Sequence, residues 1–321
     1  MQARPRPARA MTPMKSLALP CGLAALLAAC AQGPGAPAGH GAAPGPAAAA
    51  ATAPDAPLSA ERIAAILSTP DRSAADRSND LRRKPAEMLA FIGPRPGMVA
   101  LDLSAAGGYT TELLARAIGP TGRVYGHSAP RNPSRQPPPA SEGGTVPATA
   151  PAPALGGEGT PPAMTAPRPP SPAALAERAR RLQEAGVPSA PIVPLVRNFE
   201  DPVPAELAEG RLDLVTLMFN YHDLGFLGVD RARMNSAIYR ALKPGGMYVI
   251  ADHAGRPGTG ISESGTLHRV EEAFLRSEVE AAGFRLAATG DFLRNPNDPR
   301  DRNTPIPLQP KDEFVLKFIK P

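Results

Sequence analysis

The chain has 321 residues, a formal charge of +5, 42 prolines, 30 glycines, two cysteines and no tryptophan. Proline and glycine together make 72 of those residues, about a fifth where ordinary proteins have roughly an eighth, and this excludes one uniform globule. Arg4, Arg6, Arg9 and Lys15 face no acid before residue 31, so the remainder balances 31 bases against 30 acids, which excludes a basic nucleic-acid binder. Two cysteines exclude a disulfide framework and a cysteine-rich zinc site.

Met14-Lys15 precedes an apolar run, Ser16 to Ala29, that ends Leu27-Ala28-Ala29-Cys30. A basic start, a short apolar stretch and small residues before a cut predict a secretory signal. As a helix the run would cover about 21 Å, short of the roughly 30 Å hydrocarbon core. The Leu-Ala-Ala-Cys ending resembles a bacterial lipoprotein signal box. That resemblance implies removal of residues 1–29, lipidation of Cys30 and, with Ala31 following, sorting to the outer membrane. The protein would then sit in the cell envelope, held by its lipid anchor alone; with the leader unprocessed it would stay cytoplasmic. Residues 30–57 are almost entirely Ala, Gly and Pro and bury too little apolar surface to offset chain entropy, so they read as a flexible tether.

The folded domain is expected over 58–321. Leu58 to Leu67 reads as a short amphipathic helix, and Asp71 to Arg83 as a strongly charged stretch. Pro85 opens a helix over Ala86 to Ile92 that Gly93-Pro94 ends. Val99 to Leu103 is a buried-strand signal, followed by the small-residue turn Ser104 to Gly108. Tyr109 to Ile118 places Leu113, Leu114, Ala117 and Ile118 on one helical face, and Gly122 to Gly126 reads as a second strand. The result is one βαβ unit.

Residues 130–171 interrupt it with a Pro/Ala/Gly/Thr tract without periodicity, which composition marks as a disordered insertion. The alternation then resumes: a helix over Pro172 to Ala185, strands at Ile192 to Val196 and Leu212 to Met218, and a helix through Met234, Ile238 and Ala241. A strand at Met247 to Ala251, a helix through Leu275 and Val279, and strands at Phe284 to Ala288 and Phe314 to Ile319 complete the chain. The expected fold is α/β: a doubly wound, mostly parallel, seven-stranded Rossmann-like sheet whose last two strands pair antiparallel at one edge.

In such a sheet ligands bind beyond the carboxyl ends of the strands. Those ends gather Asp102, His127, Glu200, Asp201, the run Asn220-Tyr221-His222-Asp223 and the pair Asp252-His253, while His268 and Arg269 are expected to open the following helix. Small residues at 104–108 let a ligand approach the backbone.

Gly97-Met98-Val99-Ala100-Leu101-Asp102-Leu103 through Gly107-Gly108-Tyr109 resembles motif I of class I S-adenosylmethionine-dependent methyltransferases. Leu242-Lys243-Pro244-Gly245-Gly246 is another frequent mark of that fold, and Asn220 to Leu224, Ala251-Asp252-His253, Leu267-His268-Arg269 and Phe314 to Lys317 look like a bacterial branch of it. The resemblance spans roughly residues 72–321 without the insertion. It implies S-adenosylmethionine as cofactor, with Ser104, Ala106, Gly107 and Gly108 carrying its methionine part and Asp102 anchoring polar atoms beneath. It implies Glu200 or Asp201 near the adenine, His127 at the ribose, and Asn220 beside the transferred methyl. Tyr221, Asp252, His268 and Arg269 would line the acceptor. His222, with Asp223, is the first choice of general base and His253 the second.

Motif I usually has glycine where Ser104 and Ala106 stand, and an acid where His127 stands. These departures favour a second reading, a non-catalytic envelope module that keeps the fold to bind a ligand or partner. An exported protein would also meet little of a cytoplasmic cofactor. A third reading, a metal site from His222, Asp223, His253 and His268, has suitable ligand types but dispersed spacing and no HExxH, so the sequence does not favour it. The polar groups also have a plain structural reading as caps and satisfied core polarity, with Asp252-His253 pairing to Arg269.

Overall fold

The computed structural model describes residues 58–131, 169–305 and 308–321. The expected leader at 1–29, Cys30, the tether at 30–57 and all but the ends of the insertion at 130–171 lie outside the described residues.

Three helices open the domain: α1 (Ala60–Ser68), α2 (Ala74–Arg83) and α3 (Pro85–Ile92). Ser59 and Ser73 cap the first two by accepting the N–H of Arg62 and Asp76, which satisfies donors that a helix start leaves free. Helix α1 buries Ile63 and Ile66 against Leu89 of α3 and against Leu113 and Ala117. Helix α2 departs from expectation, since the charged stretch is helical from Ala74 onward. Its charges are spent between elements: Asp80 accepts both terminal nitrogens of Arg72 at 2.6 and 2.8 Å, and Asp76 pairs with Arg178 at 2.8 Å.

The sheet contains β1 (Val99–Leu103), β2 (Arg123–Ser128), β3 (Ile192–Val196), β4 (Leu212–Met218), β5 (Leu242–His253), β6 (Arg285–Gly290) and β7 (Glu313–Ile319). Their order is β3-β2-β1-β4-β5-β7-β6. Strands β1 to β5 pair parallel, and β7 lies antiparallel between β5 and β6. The expected doubly wound, mostly parallel seven-stranded sheet with an antiparallel edge is therefore present. Strand order turns at β1, which sends β2 and β3 to one side and β4 onward to the other. That switch point is where such folds open a crevice.

The crossover helices are α4 (Tyr109–Ile118), α5 (Ser171–Glu184), α6 (Tyr221–Phe226), α7 (Arg231–Ala241) and α8 (Glu272–Ala281). They cover two faces, one core gathering Leu101, Leu103, Val215 and Ile250, the other Ala100, Leu114, Val124 and Val249. Strand β5 is longer than expected at its start, because Leu242 already pairs with Leu212 across an irregularity in β4. Tyr221 to Phe226 form the short helix α6 directly after the Asn220 position. His268 does not open α8: it precedes that helix in a left-handed turn at φ 50°. No helix among the described residues is long and apolar enough to cross a membrane.

Candidate functional site

The first part of the site surrounds the turn after β1. Ser104 and Ala106 hold left-handed backbone at φ 54° and 48°, a conformation that costs a residue with a Cβ about 1–2 kcal/mol. The glycine-type turn geometry is thus kept although two of its side chains are not glycine. The space over Gly107 is open, with nothing within 4 Å of where a Cβ would stand. Gly108 has a different role: a Cβ there would meet Leu175 at 2.7 Å and Arg178 at 2.8 Å, so its smallness serves helix packing rather than ligand approach.

Beneath the turn, Asp102 accepts the hydroxyls of Thr111 at 2.6 Å and Thr216 at 2.7 Å. These bonds tie β1 to α4 and β4. Burial raises its carboxyl to about 6 against the pull of both hydroxyls. The turn, Asp102, Tyr109, Arg178 and the end of α2 enclose a cavity of about 690 Å³, within the range of small-molecule sites. Arg83 reaches into its wall. Its guanidinium lies 3.8 Å over the Phe219 ring and forms no ion pair or hydrogen bond among the described residues. Burial and the neighbouring Arg82 push it down to about 9.

Several nominated residues stand away from this cavity. His127 is buried with both ring nitrogens engaged, Nε2 with the Arg197 carbonyl at 2.9 Å and Nδ1 accepting the Ser104 N–H at 3.4 Å. It braces the turn from below and offers nothing to a ribose. Asp201 pairs with Arg197 on the surface, and neither it nor Glu200 lines the cavity. All three expected nucleoside contacts thus stand outside the lining of this cavity.

The second part lies beyond β4 and β5. Asp252 accepts the His222 ring Nδ1–H at 2.6 Å, the His222 backbone N–H at 2.8 Å and the His253 backbone N–H at 2.7 Å. Among the described residues His222 Nε2 makes no hydrogen bond, although Asp223 Oδ1 stands 3.2 Å away. The same Asp223 oxygen is 3.2 Å from His268 Nδ1, while its other oxygen accepts the Asn220 amide at 2.8 Å. Burial opposes a charge on His222, but Asp252 and Asp223 outweigh it and carry its pKa to about 9. His253 behaves oppositely. Burial, with Lys311 and His222 nearby, holds it well below the usual imidazole range. The two nominated bases are thus shifted in opposite directions by their surroundings.

His253 lines a second, larger cavity of about 850 Å³ with Arg82, Lys84, Arg294, Asn295 and Glu313. Its ring lies 5.2 Å from that of His222, centre to centre. Two acceptor-side expectations change. Tyr221 is fully buried, and its hydroxyl donates to Glu278 at 2.8 Å. Arg269 is fully buried and holds Asp298 at 2.8 and 3.2 Å, so it pairs with neither Asp252 nor His253. Both side chains are held in internal polar contacts instead.

Arg83 and Phe219 were not among the sequence candidates. A charged helix end and a residue just past a strand carry no motif; the only local signal was Phe219 beside the Asn220 run.

No protein-family model and no curated protein matches the chain. Solved methyltransferase structures resemble it. An S-adenosylmethionine-dependent methyltransferase from Aquifex aeolicus is 14% identical, with 78% of this chain and 100% of that one covered at a TM-score of 0.44. An arsenic(III) S-adenosylmethionine methyltransferase from Chlamydomonas reinhardtii is 16% identical, with 70% and 64% covered at 0.43. A TehB-like methyltransferase from Corynebacterium glutamicum is 14% identical, with 78% and 90% covered at 0.40.

Proposed function

We propose that the chain is an S-adenosylmethionine-dependent methyltransferase acting on a small-molecule or envelope acceptor. The observation that carries this reading is the cavity at the switch point, floored by the Ser104–Gly107 turn and walled by a guanidinium that has no ion pair among the described residues. The donor set suits the cofactor: Arg83 matches a carboxylate such as that of the methionine part, and the open space above Gly107 admits a ligand against the backbone. Asp102 holds the turn in place through Thr111 and Thr216.

Bound there, the cofactor supplies an electrophilic methyl group on a sulfonium. The chain's share is mainly to position the acceptor, because in-line displacement gains most from orientation. We assign acceptor entry to the larger cavity, with His253 as the group that takes a proton from an O–H or N–H acceptor. The His222 ring stands beside it, 5.2 Å away centre to centre.

The module reading keeps one supporting observation: none of the three residues nominated for the nucleoside lines the cavity. Equilibrium dialysis of the full chain against S-adenosylmethionine and its demethylated product separates the two. The enzyme reading predicts saturable binding of both, and no binding at millimolar concentration leaves the module. We also propose anchoring through Cys30. A Cys30→Ala chain that still partitions into membranes like the unaltered one would contradict it.

A further inference from the structure

We infer that His222, Asp223 and His268 form a binding site for a divalent transition-metal ion, zinc by chemical type, with Asp252 as the outer partner that orients His222. Each of the three offers a ligand atom, and these atoms lie within 4.8 Å of one another with all three residues buried. Two separations are tighter: Asp223 Oδ1 is 3.2 Å from His222 Nε2 and 3.2 Å from His268 Nδ1. Bonds of about 2.0–2.1 Å at tetrahedral angles place ligand atoms about 3.3 Å apart. The spacing therefore suits a shared ion.

The orphaned atom points the same way. His222 Nε2 is buried and without a hydrogen bond among the described residues, a state native structures rarely tolerate. The opposite ring nitrogen is fixed by Asp252 Oδ1 at 2.6 Å. A carboxylate that receives Nδ1–H leaves Nε2 as the lone-pair nitrogen, which is how outer partners set metal-bound histidines. Asp223 is prepared similarly: Asn220 occupies Oδ2 at 2.8 Å and leaves Oδ1 toward both rings. Imidazole and carboxylate donors suit zinc-type ions, and three protein ligands leave a coordination position for water or a substrate oxygen.

His253, which the sequence grouped with these residues, is excluded. Its Nδ1 stands 3.0 Å from Glu313 Oε1 instead. The competing explanation is an imidazolium held between Asp252 and Asp223 with no ion. The site lies on the acceptor side of the proposed active site, but the inference does not rest on methyl transfer and is tested without the cofactor.

The test is a titration of the chelator-stripped full chain with Co²⁺ as a visible-absorption probe, followed by displacement with Zn²⁺. The expected result is one equivalent of Co²⁺ with the intense bands of low coordination number. His268→Gln should weaken binding at least tenfold, and Asp252→Asn by about 10–100-fold, with the fold checked by circular dichroism. Absence of binding, the spectrum of the hydrated ion alone, or unchanged affinity in a folded His268→Gln chain overturns the inference. Should that variant not fold, X-ray absorption of Zn²⁺ on the unaltered chain decides: two imidazoles support the site, and fewer than two overturn it.

Discussion

Asp252 grips His222 twice, accepting its ring Nδ1–H at 2.6 Å and its backbone N–H at 2.8 Å. One carboxylate at the end of β5 thus fixes both the start of α6 and the orientation of its imidazole. Asp252→Asn should lower stability by about 1.5–3 kcal/mol, the usual worth of a hydrogen bond to a charged group. Urea unfolding at neutral pH measures this. A loss below half a kcal/mol would mean the grip is not structural.

Arg269 is predicted to be a fold residue rather than an acceptor contact. It is fully buried, with Asp298 at 2.8 Å and the Ala254 carbonyl at 3.0 Å. Arg269→Ala strands a buried aspartate and should cost about 3–5 kcal/mol. A chain that melts normally yet loses only acceptor binding would reverse the assignment.

Two adjacent glycines should respond differently. Gly108→Ala places a methyl 2.7 Å from Leu175 at a φ of +78°, and is expected to cost about 2–4 kcal/mol from strain and overpacking. Gly107→Ala points into open space, so the fold should survive while cofactor affinity drops. Thermal melts and binding titrations on both variants check the contrast, and equal destabilisation would contradict it.

Arg83→Ala should leave the melting curve close to that of the unaltered chain, because the guanidinium has no ion pair to lose among the described residues. Its loss should weaken cofactor binding about tenfold or more, as expected for a charge-assisted contact. Unchanged affinity would remove Arg83 from the site.

His127 gives the fold a measurable acid dependence. An unfolded imidazole titrates near 6.5, and burial pushes this one down to about 4. Between those values the unfolded chain binds a proton that the folded chain refuses. The stability linked to His127 is whole above about pH 6.5 and falls as pH drops toward 4. Asp102 works in the opposite sense, since its raised value of about 6 makes the folded chain the better proton binder as pH falls. Comparison with His127→Gln isolates the histidine: from pH 7 to 5 the unaltered chain should lose about 2 kcal/mol more than the variant. Parallel pH curves would contradict the assignment.

The sheet was legible because each strand is a short apolar run closed by turn residues, as in Val99 to Leu103 or Leu212 to Met218. Helix α2 was not read as a helix. Its buried face is an aspartate, and its partner Arg178 lies 102 residues away in sequence. The grouping of His222, Asp223, Asp252 and His268 near strand ends was legible from topology. The divergence of His253 toward Glu313 was not, since it depends on β7 returning antiparallel beside β5. Likewise, nothing local distinguishes Gly107 from Gly108. The difference is made by Leu175, on a helix across the insertion.

Hydrogen exchange of the full chain with and without saturating S-adenosylhomocysteine tests the cofactor assignment most directly. Slowed exchange across Asp102 to Tyr109 and the end of α2 around Arg83 is the predicted result. No change in exchange, or protection confined to other segments, would contradict a cofactor site at the switch point.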